Sequence, residues 1–377
     1  MDHLRHPKPD ELTITVLGGA GQGESVVIHI GDGNWIIIDS YVSNKLSLAY
    51  IYLTSIEANL DNVEMIICSH WHSDHVKGMC QLLKSCPNAK FYVPSVSGSK
   101  YYPEFFAGNI KEIEITEEGV LTVMEEFQSC MSYADQNNIL DYLERDKTLI
   151  KRNVNGQCLE IAAISPSKDL RNRFHKMFAS KKDGKYKEYG IEPNMCSSAI
   201  MVSVNNELHF LLGADLECNR SEDDKDFDGC PNHCAERGIR GWCNTFHESQ
   251  NHNFVNKYSY VKIAHHSSET GYCPKLWNEK VTEDVIGVTT VFNANLLPQP
   301  NMVELYSERC KEYYISAPSV VSVGKTDHPE IDNLVEEGVV KEVSVPQGNM
   351  GAISSSYIMT TKAYLGTQTD GTAFRYK

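Results

Sequence analysis

The chain has 377 residues, 41% of them hydrophobic and 23% charged, so it is long enough for one large domain or two ordinary domains with a sizeable core. Its formal net charge of −15 argues against non-specific coating of a long nucleic acid, because such binding depends on neutralising phosphates. No apolar run approaches the roughly 18 residues needed to cross a bilayer, and the polar N-terminus lacks the apolar region of a secretory signal. We therefore expect a cytoplasmic protein without membrane contacts, whose 12 scattered cysteines are reduced.

The N-terminal part of the chain alternates between predicted strands and helices. Apolar–polar alternation or a short continuous apolar run indicates a strand, and apolar residues at helical spacing indicate a helix. In chain order these patterns predict strands over residues 12–18, 25–31 and 35–40, a helix over 47–57, a strand over 63–69, a helix over 74–86 and a strand over 90–95. This alternation predicts an α/β sandwich.

The rest of the chain continues this pattern around two predicted insertions. Residues 103–155 are predicted to be mainly helical, and residues 218–258 are irregular, polar and rich in Cys and His. The other predicted elements are a strand over 158–167, a hairpin of 197–204 and 208–217 around Asn205-Asn206, a strand over 258–266, a helix over 301–312, and strands over 313–323 and 338–345.

The sharpest feature is the sequence His70-Trp71-His72-Ser73-Asp74-His75, which begins just after a predicted buried strand. Two histidines two positions apart on an extended segment point to the same side. The Asp-His pair that follows can reach back to a second point nearby. Imidazole and carboxylate are ligands that suit Zn²⁺, Mn²⁺ or Fe²⁺, so the loop predicts a metal site.

This H-x-H-x-D-H pattern resembles that of the metallo-β-lactamase superfamily. The resemblance implies a four-layer αβ/βα sandwich formed by a single domain over residues 1–377. It also implies that Asp39, in WIIIDS, supports the metal loop without binding metal, and that Asp215, in FLLGADLE, bridges two metals. The last ligand matches His265 or His266, which follow the strand YVKIA.

Four further segments resemble the ComEC-type group of metallo-hydrolases, named after the bacterial competence DNA-uptake protein. They are the turn from Gly21 to Ser25, the element from Asn194 to Ser197, the segment 213–217 and the segment 262–268. Ser267 stands where that group has Gly, which predicts a backbone φ that is not positive. A third histidine for the first metal is missing in this group as a rule, and here His175 and His209 are interpreted as a solvated and a packed residue.

The resemblance implies two divalent ions, Zn or Mn with Fe also possible, that lower the pKa of a shared water and deliver hydroxide to the substrate. His70 and His72 would hold the first ion, Asp74, His75 and His265 the second, and Asp215 both. His265 is preferred as the ligand because it directly follows the strand. His266 would then act beside the metals or as a general acid on the leaving group.

An anionic substrate is predicted from the charge of this site. Lys262 either reaches into the site to neutralise a phosphate or extends out of the sheet, and Asn194, Ser197 and Ser268 are candidate substrate contacts. Residues 168–187 carry eight basic and two acidic side chains, including Arg171, Arg173 and Lys176, and form either a nucleic-acid approach or a solvated helix face.

We therefore predict a phosphodiesterase or nuclease that acts on a nucleic acid or a nucleotide second messenger, with protein partners in a multi-component system as a further possibility. The alternatives are a hydrolase of a lactone, thioester or β-lactam, and a non-catalytic partner-binding module of the same fold. Cys230, Cys234 and Cys243, with His233 and His247, have a spacing that suits an accessory zinc site, although a loop with ordinary cysteines is the preferred interpretation.

Overall fold

Two β-sheets, each of eight strands in the described part of the chain, form the centre of the molecule. The computed structural model describes residues 4–19, 21–98, 123–179, 193–218, 241–242, 245, 257–318 and 350–377. The strands of the first sheet are, in spatial order, β17 (Ala363–Gly371), β16 (Met350–Ile358), β1 (Glu11–Gly19), β2 (Gln22–Ile30), β3 (Trp35–Ile38), β6 (Val63–Ile67), β7 (Lys90–Pro94) and β8 (Leu140–Leu143).

The second sheet has the same number of strands and a similar division into antiparallel and parallel parts. Its order is β18 (Phe374–Arg375), β15 (Glu312–Ile315), β14 (Val281–Thr289), β13 (Tyr258–Lys262), β12 (Leu208–Leu212), β11 (Ile200–Val204), β10 (Gln157–Ala163) and β9 (Lys147–Val154). A separate ribbon pairs β4 (Val42–Ser43) with β5 (Leu46–Ser47).

Helices cover the outer faces of both sheets. Three hydrophobic clusters fill the spaces between these layers: one lies between the sheets, and one lies under the helices on each side. The helices are α1 (Leu48–Ser55), α2 (Ser73–Val76), α3 (Met79–Ser85), α4 (Val123–Gln136), α5 (Lys168–Ala179), α6 (Pro274–Glu279) and α7 (Pro300–Arg309). The result is the αβ/βα sandwich expected from the sequence.

Strand β2 shows how the sequence pattern produces these layers. Val26, Ile28 and Ile30 belong to the cluster between the sheets, whereas Val27 packs into the cluster under the helices. Alternate side chains of a strand point to opposite faces, so a strand covered on both faces needs apolar residues at successive positions.

Both sheets place the carboxyl ends of parallel strands at one edge. β3, β6, β7 and β8 are parallel neighbours in the first sheet, and β12, β13, β14 and β15 are parallel neighbours in the second. Loops that follow parallel strands meet at the same edge of a sheet. The segments after β3, β6, β12 and β13 carry the predicted site residues, so this arrangement brings them together.

Several sequence-based boundaries differ from the structure. The predicted helix over 74–86 is divided into α2 and α3 at Gly78, which has a φ of 79° and leaves no room for a Cβ beside Val42 Cγ1 at 2.6 Å. The segment 103–155, expected to be mainly helical, contains α4 but also supplies β8 and β9. β9 lies at the edge of its sheet, where charged residues are common. Because its sequence is polar, it does not show the apolar pattern from which a strand is predicted.

Other predicted elements agree with the structure or lie outside it. The hairpin of β11 and β12 turns at Asn205 and Asn206, which have positive φ angles of 53° and 55° as a two-residue hairpin requires. The predicted strand over 338–345, most of the segment 218–258, and Cys230, Cys234, Cys243 and His247 lie outside the described residues. Among the helices that are described, none is both long and apolar enough to cross a membrane.

His29 is a titratable group inside this fold. Its fully buried ring donates from Nδ1 to the Glu11 carbonyl at 2.8 Å, and its Nε2 accepts from the Gly33 N–H at 3.1 Å. Burial lowers the pKa of His29 from 6.5 to about 4. The His29 ring is therefore protonated at a lower pH in the folded protein than in the unfolded chain.

This difference predicts a pH-dependent stability. The unfolded chain binds more protons than the folded chain between pH 6.5 and about 4, so the free energy of unfolding should fall as the pH decreases through that range. His29→Gln keeps polar contacts without titrating, and should remove up to about 3 kcal/mol of this decrease at about 1.4 kcal/mol per pKa unit. Urea unfolding of both proteins at pH 7 and pH 4 measures the effect, and an identical decrease in the two proteins would contradict the role of His29.

Candidate metal centre

Asp39 holds the metal loop in place. It follows β3, has a left-handed φ of 61° and is fully buried. Its Oδ1 accepts from the Ser69 N–H at 2.6 Å, and its Oδ2 accepts from the Ser69 hydroxyl at 2.7 Å and from His75 Nδ1 at 2.8 Å. These contacts fix the start and the end of the loop, and they direct Nε2 of His75 away from Asp39.

Two groups of ligand-type side chains lie beside this loop and share Asp215. The ligand atoms of His70, His72 and Asp215 lie within 4.8 Å of one another, and so do those of Glu24, His75, Asp215 and His266. Asp215 Oδ2 is 3.2 Å from His75 Nε2 and 3.8 Å from His70 Nε2. A carboxylate between two such groups has the position needed to bridge two ions.

Asp74 belongs to the second group by its contacts. Its Oδ2 is 3.0 Å from His266 Nε2 and 3.5 Å from His75 Nε2. Glu24 approaches from the opposite side of the same rings, at 3.8 Å from His75 Nδ1 and 3.7 Å from His266 Nδ1. Asp74 and Asp215 therefore face the Nε2 atoms of His75 and His266, whereas Glu24 lies behind the rings.

The side chains present fit divalent cations. His70 Nε2, His75 Nε2 and Asp215 Oδ1 are buried and make no hydrogen bond, which is costly for polar atoms unless something binds them. Burial lowers the pKa of His70 well below its usual range, so its lone pair is free for a metal. Against the effect of burial, Asp215, Asp74 and Asp39 raise the pKa of His75 well above its usual range. The buried carboxylates therefore favour positive charge at this position.

His266, and not His265, lies in the second group. Its Nδ1 hydrogen-bonds Thr290 Oγ1 at 3.0 Å, and its ring stacks on Phe292 with the centroids 5.3 Å apart. The sequence-based preference for His265 relied on its place directly after the strand. That criterion fails here because the strand β13 ends at Lys262 and the chain turns left-handed at both histidines, each with a φ of 49°.

His265 occupies a separate polar pocket. Its Nδ1 is 2.9 Å from Glu217 Oε1 and 2.8 Å from Ser268 Oγ, and its Nε2 hydrogen-bonds the Asn194 side-chain amide at 3.2 Å. Asn194 also donates to Glu217 at 3.1 Å. The Glu217 hydrogen bond and the charge of Asp215 raise the pKa of His265, although burial acts in the opposite direction.

The expectation for Ser267 is wrong. Its φ is +60°, a left-handed conformation that was expected to require Gly. Ser267 is held there because its N–H donates to the Ala264 carbonyl at 3.1 Å and its hydroxyl hydrogen-bonds Thr289 Oγ1 at 2.5 Å. Three successive left-handed residues at a predicted ligand position are the kind of backbone strain that functional sites retain.

Lys262 is neither free for a phosphate nor extended into solvent. It is fully buried, and its Nζ donates to Glu24 Oε1 at 2.5 Å and contacts the other carboxylate oxygen. Glu24 also accepts from the Thr290 hydroxyl at 2.5 Å. Lys262, Glu24, Thr290 and His266 therefore form one continuous chain of hydrogen bonds.

The sequence interpretation gave Glu24 and Thr290 no role. Glu24 is the one carboxylate of β2 and sits between the turn at Gly23 and a run of buried apolar residues, which is a detectable signal. Thr290 follows β14 without any distinguishing pattern, so its contact with His266 depends on the fold alone.

The other predicted residues lie around the two groups or apart from them. Ser197 donates its N–H to the Asn194 carbonyl at 3.0 Å, and its hydroxyl is buried without a partner. Ser198 N–H donates to the Ser69 carbonyl at 2.9 Å, which connects this segment to the metal loop. His209 is buried within β12, and His175 is partly exposed on α5, so neither supplies a further ligand to the described groups.

In the described part of the basic stretch, the Arg171 side chain is paired with an acidic residue. Arg171 forms an ion pair with Glu144 at 2.5 Å on the wall of an open groove of about 510 Å³. Three basic residues of this groove face three acidic ones: Arg145, Lys147 and Arg171 against Asp141, Glu144 and Asp146. The side chain of Arg173 and residues 180–192 lie outside the description.

We expect the ligand set to be visible in the metal content of single variants. His266→Ala should lose about one of two metal equivalents, since it removes a buried nitrogen beside Asp74 and Asp215. Its matched control, His265→Ala, should keep both, and Asp215→Ala should lose the most because Asp215 belongs to both groups. Elemental analysis of protein purified without chelator measures this. Loss in His265→Ala alone would reverse the assignment.

The Lys262–Glu24 pair predicts a stability effect. Lys262→Met should cost about 3–5 kcal/mol, because it leaves the buried Glu24 carboxylate without its counter-charge. The double variant Glu24→Gln/Lys262→Met should recover most of this loss in urea unfolding. A stable Lys262→Met protein with a low kcat would instead point to a role in substrate binding.

Comparison with known proteins shows a similarity over part of the chain. No curated protein sequence is significantly similar to the chain. The structure of the metallo-beta-lactamase fold protein YhfI from Bacillus subtilis is 10% identical over 82% of this chain and 97% of that chain, with a TM-score of 0.40. A subclass B3 metallo-beta-lactamase isolated from a soil metagenome library is 12% identical over 67% of this chain and 76% of its own, with a TM-score of 0.34.

Structural similarity at these TM-scores is too low to assign a function. The match of the sequence to a family model is more informative. Residues 18–127 match the model of the metallo-beta-lactamase superfamily. The matched segment contains Asp39 and the whole loop from His70 to His75. This segment of the chain, and with it the loop that carries the predicted ligands, is therefore similar to the metallo-β-lactamase superfamily.

Proposed function

We propose that the chain is a binuclear metal-dependent hydrolase of phosphodiesters, with a nucleic acid or a nucleotide second messenger as substrate. The observation that carries the hydrolase assignment is the pair of ligand groups that share Asp215. We assign His70, His72 and Asp215 to one ion, and Asp74, His75, Asp215 and His266 to the other. Zn²⁺ and Mn²⁺ suit this set of nitrogen and oxygen donors, and Fe²⁺ is also compatible.

When bound, the two ions supply Lewis-acid polarisation and a lowered pKa for the attacking water. The protein's own contribution is to hold the ligand rings. Asp39 fixes Nδ1 of His75 at 2.8 Å, and Thr290 fixes Nδ1 of His266 at 3.0 Å. Ligands oriented in this way keep Nε2 available, and such supporting contacts raise metal affinity.

His265 is the proposed general acid. The Glu217 hydrogen bond and Asp215 raise its pKa, and a protonated ring beside the metal groups can pass a proton from Nε2 to a leaving oxygen. The Asn194 amide donates to Nε2 of the neutral ring and Ser268 holds Nδ1, so the ring is positioned before a substrate arrives. Protonation of Nε2 breaks the Asn194 contact and leaves that amide with Glu217. This role replaces the one that the sequence gave to His266.

The choice of a phosphodiester rests on the four segments that resemble the ComEC-type group. They assemble around one place: the first provides Glu24, the second Asn194, the third Asp215 and Glu217, and the fourth Lys262 and both histidines. Lys262 itself gives this choice no support, because Glu24 neutralises it.

The experiment is a substrate panel with the full chain loaded with Zn²⁺ or Mn²⁺. Single- and double-stranded DNA, RNA, a cyclic dinucleotide and bis(p-nitrophenyl) phosphate represent phosphodiesters, and a lactone, a thioester and a cephalosporin represent carboxyl substrates. We expect cleavage of a phosphodiester that chelation abolishes and that Asp215→Asn lowers at least about a hundredfold. Hydrolysis of only carboxyl substrates would overturn the phosphodiester assignment, and no hydrolysis by fully loaded protein would favour a partner-binding module.

Two variants sharpen this panel. His265→Gln should lower kcat about a hundredfold for a nucleotide leaving group, with full metal content, and far less for p-nitrophenolate, which leaves without a proton. An equal loss for both leaving groups in His265→Gln would contradict its role as an acid.

Arg171→Ala should raise KM and flatten the salt dependence only if the substrate is a polynucleotide long enough to reach the groove.

A further inference from the structure

A pair of cysteines lies outside the metal centre, where α3 packs against α4. Cys80 is on α3 and partly exposed, and Cys130 is on α4 and fully buried. Cys80 packs against the apolar cluster that contains Cys130, and its N–H donates to Glu126, one turn before Cys130 on α4, so the two cysteines lie at the same level of the helix interface.

The neighbouring contacts hold the sulfurs together. The Cys80 N–H donates to Glu126 Oε1 at 3.4 Å, and Lys84 Nζ lies 5.8 Å from the centroid of the Tyr133 ring. Cys80 and Lys84 are one turn apart on α3, and their three partners follow one face of α4 at helical spacing. The cysteine pair therefore lies in a packed interface whose register is fixed by contacts on both sides of it.

The two thiols differ in character. The Cys130 hydrogen bond and the nearby Lys84 ammonium lower the pKa of Cys80 to about 6, against the effect of burial. The pKa of Cys130 is raised well above its usual range, because its proton is held by Cys80 and the residue is buried. A reactive thiolate that is partly exposed, next to a buried thiol, has the arrangement of an attacking and a resolving cysteine.

We propose that Cys80 and Cys130 form an oxidisable dithiol, a modification site for hydrogen peroxide or another small hydroperoxide. The Cys80 thiolate attacks a peroxide oxygen, the O–O bond breaks, and hydroxide leaves with Cys80 as a sulfenic acid. The Cys130 sulfur then attacks the Cys80 sulfur, the S–O bond breaks, and the hydroxyl leaves with the Cys130 proton as water. Two thiols are oxidised to one disulfide, and the peroxide is reduced to water.

Two other thiols provide internal comparisons. Cys158 is exposed and lies on β10 in the second sheet, away from this interface. Cys68 is buried next to the metal loop, where its thiol donates to the His70 carbonyl at 3.0 Å. If exposure decided reactivity, Cys158 would react first. If burial among apolar residues were sufficient, Cys68 and Cys130 would behave alike.

The test uses the full chain loaded with Zn²⁺, which does not react with peroxide, and it does not depend on hydrolase activity. At pH 7, iodoacetamide should label Cys80 about tenfold faster than Cys158, although Cys158 is more exposed. One equivalent of hydrogen peroxide should lower the intact mass by two hydrogens, and peptide mapping should find a Cys80–Cys130 disulfide that dithiothreitol reverses.

Variants separate the two steps. Cys130→Ser should stop at a sulfenic acid on Cys80 that dimedone traps, Cys80→Ser should form no disulfide, and the matched control Cys158→Ser should behave as the wild type. Labelling of Cys80 no faster than Cys158, a disulfide through Cys68, or peroxide consumption without a Cys80–Cys130 bond would each overturn the proposal.

Discussion

The structure depends on the burial of four carboxylates, Glu24, Asp39, Asp74 and Asp215, at one edge of the two sheets. An isolated buried carboxylate costs several kcal/mol, so each one needs a positive charge or several hydrogen-bond donors. Lys262 neutralises Glu24, and the loop around Ser69 donates twice to Asp39. Within the described residues, the ion-pair partners of Asp74 and Asp215 are histidines. Their charge is what makes this edge a place for divalent cations.

The same constraint joins the two halves of the molecule. Glu24, Asp39 and the metal loop come from the first sheet, whereas Asp215, Lys262 and His266 come from the second. The Lys262–Glu24 pair, the contact of Asp74 with His266 and the backbone bond from Ser198 to Ser69 all cross between them. Neither sheet contains a complete ligand group, so correct stacking of the sheets and formation of the site are the same event.

Because the supporting contacts are all internal, the site leaves few polar groups for a substrate. Lys262 and Glu24 form an ion pair with each other, and Asp39 hydrogen-bonds the metal loop, so none of the three is available to a substrate. Among the histidines of the site, His72 and His265 are partly exposed, and His265 is the one outside the two ligand groups, with its partners Glu217 and Asn194 buried. The division between buried residues that hold ligands and one partly exposed histidine is the basis for the proposed acid. The cysteine pair between α3 and α4 lies on the helix that follows the metal loop and is chemically independent of the site.

The sequence by itself determined the residue types and the local structure of this protein. The H-x-H-x-D-H loop, the buried strands before Asp39, Ser69, Asp215 and the paired histidines, and the hairpin at Asn205-Asn206 follow from patterns a few residues long, which local geometry controls. Tertiary structure decided the rest. Whether His265 or His266 faces Asp74 depends on a left-handed turn in which Ser267 is held by the Ala264 carbonyl and by Thr289, which is distant in the chain. Whether Lys262 is available to a substrate depends on its ion pair with Glu24, which is 238 positions away in the chain. A local sequence pattern cannot predict a contact between residues so far apart.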